Sequence, residues 1–309
     1  MVSIFDSTLM VILIAEFVIG KLGNSFIAVV NCIDWVKGRK ISFTDGILTA
    51  LAVSRIGLLW VILINSYICM FNLAIFMTGK MLIIVYIFWT VSNHFSLWLA
   101  TSLSIFYFLK IANFSDSIFL YLKWRVKKVV SLTMLVTLVL LILNLALVST
   151  HMNAWYGEYK RNMTCSSRMK DFAQFTNHLV FTNTLFTFVP FAVTLTVFLL
   201  LIFSMGKHLR RVQLNAKGSK DVSSKAHIKA LQSVVTFLVL YAIFFLSLSM
   251  SFWSLELPDR NRITMFCQDI GVVYPSGHPY VLILGNHKLR QAFHSMLGWL
   301  RFRFKDGEP

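Results

Sequence analysis

The sequence predicts an all-α membrane protein, a seven-transmembrane helix bundle with a cytoplasmic amphipathic C-terminal helix. Three observations carry this expectation. The 309 residues are 57% hydrophobic and only 14% charged, whereas soluble domains run near a quarter charged. The apolar residues gather into seven runs, each long enough for a bilayer crossing of roughly 20 residues. The charges, a formal net +16, sit in the short connections between the runs, where basic residues signal topology. No soluble basic domain is visible, which argues against a nucleic-acid partner for that charge.

In order, the runs are Thr8–Val30, Ile47–Met70, Met81–Leu109, Val129–Val148, Leu179–Phe203, Ala230–Trp253 and Met265–Leu284. The first follows Met1–Ser7, which has no basic n-region, and it lacks a small-residue cleavage site. It therefore reads as a retained span. The third carries Trp89, Asn93 and Ser96 at steps of four and three, one face of a helix. It ends in Phe106, Tyr107 and Lys110. That polarity makes it the expected central helix, with one end for a ligand and the other for a cytoplasmic partner. The seventh run holds Gln268, Asp269, Pro275, His278 and Pro279, which a spanning helix tolerates when they face other helices or water. The expected division is residues 1–7 outside, 8–284 as the bundle and 285–309 as the tail. In the tail, Leu289, Phe293, Met296, Leu297, Leu300 and Phe304 recur near helical spacing among basic residues, as in an interfacial helix.

Orientation follows from lysine and arginine. The first, third and fifth connections and the tail hold a roughly threefold excess over the other side, including Lys37, Arg39, Lys123, Arg125, Lys127, Lys207, Arg210, Lys288 and Arg290. The tail is thus expected in the cytoplasm and the N-terminus outside, in a multi-pass plasma-membrane protein. The fifth connection, Ser204–Lys229, reads as a solvated loop continuing two helices, attracted to anionic lipid or docking a cytoplasmic protein. Of the four cysteines, Cys69, Cys165 and Cys267 fall on or near the outer side, where disulfides are possible. Their spacing does not decide whether any pair forms, and no close Cys-x-x-Cys suggests a metal.

Within the spans, Arg55 lies about 12 Å deep at 1.5 Å per residue, where an arginine must be paired, wetted or snorkelling. Asn24, Ser276 and His278 are its expected partners at that depth, either as a network that rearranges or as a structural tie. Trp89, Asn93 and Gln268, with Phe186, Phe244 and Leu248, fall in the outer halves of four spans and can line an aromatic cavity with a few amides, the usual make-up of a small-molecule site. Each aromatic alone also reads as helix packing. His94 follows Asn93 about 100° around the helix and reads as a packed histidine. Lys21 has no evident partner. Catalytic motifs are absent, and no cofactor is expected. A small-solute transporter or channel would show repeats with broken helices, and the halves are not self-similar.

The residues also carry a resemblance. The blocks GNSFIAVVN (Gly23–Asn31), DWVKGRKIS (Asp34–Ser42), LTALAVSRIGLLW (Leu48–Trp60), HFSLWLATSLSIFYFLKIANFS (His94–Ser115), PF (Pro190–Phe191), KAHIKALQSV (Lys225–Val234) and YPSGHPYVLILGNHKLRQ (Tyr274–Gln291) span nearly the whole chain. Together they resemble the bitter taste receptors, the taste receptor type 2 family of G-protein-coupled receptors. Phe106-Tyr107-Phe108-Leu109-Lys110 stands where rhodopsin-like receptors carry Asp-Arg-Tyr, Arg55 stands where they carry an acid, and His278-Pro279 replaces Asn-Pro. The resemblance implies an outward pocket at Trp89, Asn93 and Gln268, with Phe186, Phe244 and Leu248 as further positions. It implies that Tyr107 and Lys110 form the coupling end for a gustducin-like heterotrimeric G protein, and that small bitter molecules are the ligands. Lys21 departs from relatives that often carry Asn, and Gln268 from some that carry an acid, which weakens a preference for cationic ligands.

Two sequons test the topology. Asn162-Met163-Thr164 falls in an outer loop and Asn113-Phe114-Ser115 on the cytoplasmic side. Glycosidase treatment of the expressed receptor is expected to shift its mobility on a gel, and Asn162→Gln to abolish that shift. A glycan at Asn113 would invert the orientation.

Overall fold

The structure, a computed structural model, describes residues 4–71, 80–112, 114–161, 165–215, 222–253 and 260–305. Asn113 and Asn162 lie outside the described residues, as do the side chains of Cys69 and Cys165. The described helices are α1 (Ile4–Val36), α2 (Phe43–Phe71), α3 (Lys80–Ile111), α4 (Ser117–Trp124), α5 (Val126–Arg161), α6 (Cys165–Asn215), α7 (Val222–Trp253), α8 (Arg260–Gly285) and α9 (His287–Lys305). Six of them, α1, α2, α3, α5, α6 and α7, contain stretches long and apolar enough to cross a membrane. The seventh wall is α8, whose polar residues dilute its hydropathy. It packs between α1 and α7 and closes the ring.

Helix α3 takes the central place that its polar stripe predicts, touching α2, α5 and α6. Half of its apolar window is buried, against 22% for α5. The outward face of α5 presents Leu132, Leu135, Val139 and Ile142, as expected where the surroundings are lipid rather than water. Helix α4 was not expected as an element. Asp116 caps it, its Oδ1 accepting from the backbone N–H groups of Ile118 (2.9 Å) and Phe119 (3.1 Å). An aspartate before an apolar run is the sequence signal for such a start. Phe119 then packs against Phe108 and Phe114, with ring centroids 5.5 and 5.2 Å apart.

The α1–α8 seam shows how prolines are accommodated. Pro279 has no N–H to give the carbonyl of Pro275 four residues back. Asn24 supplies that donor from α1, its Nδ2 lying 3.1 Å from Pro275 O and 2.8 Å from Gly20 O. Tyr280 adds a second tie, donating to Ile19 O at 2.8 Å. The helices come this close because Gly20 and Gly23 face the seam. A Cβ on Gly20 would lie 2.9 Å from Ser276 Cα, and one on Gly23 3.0 Å from Pro279 Cβ. Lys21 also finds its place on this side of the bundle. Its ammonium sits 4.8 Å from the Trp60 ring and 5.7 Å from Phe17, a cation–π arrangement that satisfies a charge the sequence left unexplained.

At the end carrying the α1–α2 connection, Lys288 fastens α9 to the bundle. Its Nζ donates to Asn31 Oδ1 (2.9 Å) and pairs with Asp34 (2.8 Å) and Asp45 (3.3 Å). Asp45 also joins Ser42 in a reciprocal cap at the start of α2. The fully buried Leu289, with Phe293 edge-on to Phe26, seats the apolar face of α9. This end, rich in lysine and arginine, is termed the basic end below.

Gly20→Ala is expected to cost roughly 1–3 kcal/mol by overpacking the α1–α8 seam, seen as a lower melting temperature of the purified protein. Gly46→Ala, with open space around its Cβ, is expected to cause no loss. Equal melting temperatures for both variants would contradict the seam.

Candidate functional site

A buried polar contact begins at Arg55. Its side chain is fully buried. Nε lies 3.4 Å from Ser96 Oγ of α3, and the guanidinium lies 4.7 Å from the ring centroid of Tyr274 in α8. Arg55 therefore ties α2, α3 and α8 through Ser96 and Tyr274, two partners the depth argument did not select. Of the expected ones, Asn24 is committed to Pro275 O, while Ser276 Oγ and His278 Nδ1 are buried without a hydrogen bond. His278 still belongs to the same assembly. It stacks on Tyr274 at 5.7 Å, Tyr274 stacks on Tyr241 at 5.2 Å, and Phe237 lies 4.4 Å from His278. The result is a column of rings between α7 and α8, with the guanidinium set against its face.

Alongside the column, Thr101 of α3 meets Thr194 of α6 at 2.8 Å. Phe191 stacks on Phe245 at 4.3 Å and stands edge-on to Tyr241. The helix bearing Pro190 is thus fixed to α3 and α7 just beyond the proline.

The six residues expected to line one outward pocket divide among four places. Asn93 and Phe186 share a small hollow of about 10 Å³ between α3, α5 and α6. Trp89 packs beside Tyr86, 6.0 Å between rings, and against the cluster of Leu58, Leu59 and Val272. Gln268 donates to Ser66 Oγ at 2.9 Å, joining α8 to α2. Phe244 is buried next to Tyr241 and Tyr274, and Leu248 packs against the same core. His94, expected to point away from Asn93, lines the same hollow. It does so because α5 and α6 wrap around that part of α3, so that neighbouring faces meet one cavity. Asn144 and Asn183 complete the polar wall; Asn144 stands within an aliphatic run, whereas Asn183 shares a buried helix face with Thr187 and Thr194, a signal present in the sequence.

The larger hollow lies at the basic end, opposite to the expected ligand half. It is a cleft of about 610 Å³ between α3, α6, α7, α8 and α9, lined by Tyr107, Ile111, Phe198, Val234, His278 and Arg290 among others. Tyr107 faces into it and Lys110, in the last turn of α3, is exposed beside it. His278 links it to the ring column and so to Arg55. Among the described residues no cluster of three metal-ligating side chains occurs.

Comparison with known proteins places this architecture. The sequence profile of the family described as Taste receptor protein (TAS2R) matches residues 1–301. The chain is 58% identical over 298 residues to "Taste receptor type 2 member 14" of Homo sapiens, covering 96% of this chain and 93% of that one. The chain belongs to the taste receptor type 2 family. Further relatives of this taste receptor include "Taste receptor type 2 member 14" of Macaca mulatta, 55% identical over 96% of this chain and 93% of the relative. "Taste receptor type 2 member 140" of Rattus norvegicus is 54% identical over 98% of this chain and 97% of the relative. The taste receptor is thus a multi-pass membrane protein whose spans enclose one aromatic and polar core.

Arg55→Lys is expected to destabilise the receptor by roughly 2 kcal/mol, since an ammonium does not reproduce a guanidinium stacked on a buried ring. Ser96→Ala is expected to cost about half as much, the scale of one hydrogen bond. Thermal denaturation of the purified protein reads both, and an unchanged Arg55→Lys midpoint would remove the stack from the account.

Proposed function

We propose that this protein is a bitter taste receptor that binds small bitter molecules from outside and activates a gustducin-like heterotrimeric G protein. The observation that carries this reading is the family match over residues 1–301. The polarity of α3 supports it from within the chain. One half of that helix holds the amides and rings of the α3–α5–α6 hollow, and the other ends at a cleft sized for a partner segment.

In this reading the basic end faces the cytoplasm, by the rule that places lysine and arginine there, and Asn162 lies outside as a glycan acceptor. The ligand makes contact with Trp89, Asn93, Phe186, Phe244, Leu248 and Gln268. It selects the conformation in which it fits better, and the shift is limited by its difference in affinity between the two states. The ring column running from Tyr241 through Tyr274 to His278 lies between the ligand half and the cleft. A change in the setting of α7 against α8 is felt at both ends, and Arg55, Asn24, Ser276 and His278 form the polar layer that such a change rearranges. Tyr107 and Lys110 then meet the G protein at the cleft.

The test is a ligand-triggered calcium response in cells supplied with a chimeric taste-type G protein, read across a broad bitter panel. Trp89→Ala and Asn93→Ala are expected to shift agonist EC50 by about tenfold or more, the scale of losing one anchoring contact. Unchanged responses of both variants to every agonist would move the pocket elsewhere, and silence across the panel at confirmed surface expression would count against the receptor reading.

A further inference from the structure

Four polar atoms converge on the hollow between α3, α5 and α6 without a protein partner. Thr90 Oγ1, Asn93 Oδ1, His94 Nε2 and Asn144 Oδ1 hold no hydrogen bond, and their residues all line the hollow. None of the four residues is more than 5% exposed. A buried polar group left without a hydrogen bond is costly, and each such group calls for an explanation. The hollow, about 10 Å³, is at the size where a single water, or one group of similar bulk, begins to fit (roughly 10–15 Å³). Leu97, Trp98 and Phe186 contribute its apolar lining.

Three of the four atoms are placed as acceptors, and the fourth is a hydroxyl that can act either way. The amide oxygens of Asn93 and Asn144 only accept. In the tautomer with its proton on Nδ1, His94 presents a lone pair to the hollow at Nε2. The Thr90 hydroxyl turns to suit its partner. Asn183, the remaining amide, already spends its Nδ2 on Leu179 O at 3.0 Å and Tyr86 OH at 3.4 Å. The surroundings therefore need an occupant with hydrogens to give.

We infer that this hollow is a donor-selective slot of the ligand site, with Asn144 of α5 as a specificity-determining residue. It takes one compact O–H or N–H group, either a water or the hydroxyl or amine of an agonist. The inference rests on the proposed function in that the agonist reaches the slot past Asn93 and Phe186. Its selectivity follows from the cost of unpaired acceptors. A ligand that brings a methyl ether in place of a hydroxyl offers no hydrogen and leaves the amide oxygens unmet.

Two measurements decide it. In the calcium assay, phenolic agonists from a bitter panel are compared with their O-methyl ethers. The phenols are expected to act at concentrations at least about tenfold lower, since a site built around hydrogen bonds rejects the analogue that lacks them. Asn144→Leu is expected to bring the ratio to about one by weakening the phenols and sparing the ethers, with Asn144→Asp keeping the preference for donors. A ratio unchanged by Asn144→Leu at matched surface expression overturns the slot. Separately, a cryo-electron microscopy map of the full-length receptor that resolves ordered water is expected to show a peak within hydrogen-bond reach of Asn93 and Asn144. A dry hollow overturns the slot even if agonists are found. If no compound activates the receptor, the proposed function fails while the map still decides the slot.

Discussion

The guanidinium of Arg55, with no solvent exposure, has to find its partners inside the protein, and the surrounding helices are arranged by that need. In hydrocarbon an unpaired charge is expensive, so the residues around it are ones that can meet a cation without a carboxylate: a hydroxyl at Ser96 and the face of Tyr274. A ring can meet a cation through the negative charge of its π face. The stack of Tyr274 on Tyr241 and His278 continues from that contact. The column, and with it the junction of α2, α3 and α8, is a consequence of one intramembrane cation being held without an anion.

The same economy of partners recurs in the rest of the bundle. Pro279 frees a carbonyl and Asn24 answers it from another helix. Lys21 is held over Trp60 and Phe17. Ion pairs among the described residues gather instead at the basic end, where Lys288 and Arg39 meet Asp34 and Lys288 also meets Asp45. In the interior the helices are joined by amides, hydroxyls and rings.

Much of this was legible in the residues. The apolar runs gave the spans, and the steps from Trp89 to Asn93 to Ser96 marked α3 as the helix with a buried polar face. Depth along α2 identified Arg55 as the residue needing explanation. What depth could not give was rotation. Ser96 and Tyr274 meet Arg55, and Trp60 meets Lys21, because of how neighbouring helices are turned about their axes, which no single helix encodes. The hollow beside Asn93 was hidden for a similar reason. Asn144 stands within an aliphatic run on α5, Asn183 shares a polar face with Thr187 and Thr194 on α6, and only the packing of α5 and α6 around α3 gathers the two amides with His94. Helix α4 was missed through its brevity, although Asp116 announced it.

The unequal burial of the helices has a bearing on how receptors of this kind diverge. Helix α5 gives up only 22% of its apolar window to protein contact, against 50% in α3. Lipid asks of a side chain only that it be apolar, so Leu132, Leu135, Val139 and Ile142 are interchangeable with other aliphatics at little cost. A difference between two receptors on that face carries almost no information about what either one tastes, whereas the same difference on the inward side of α3 rewrites a contact. Counting substitutions between relatives without weighting them by helix face would therefore overstate how far their ligand preferences have moved apart.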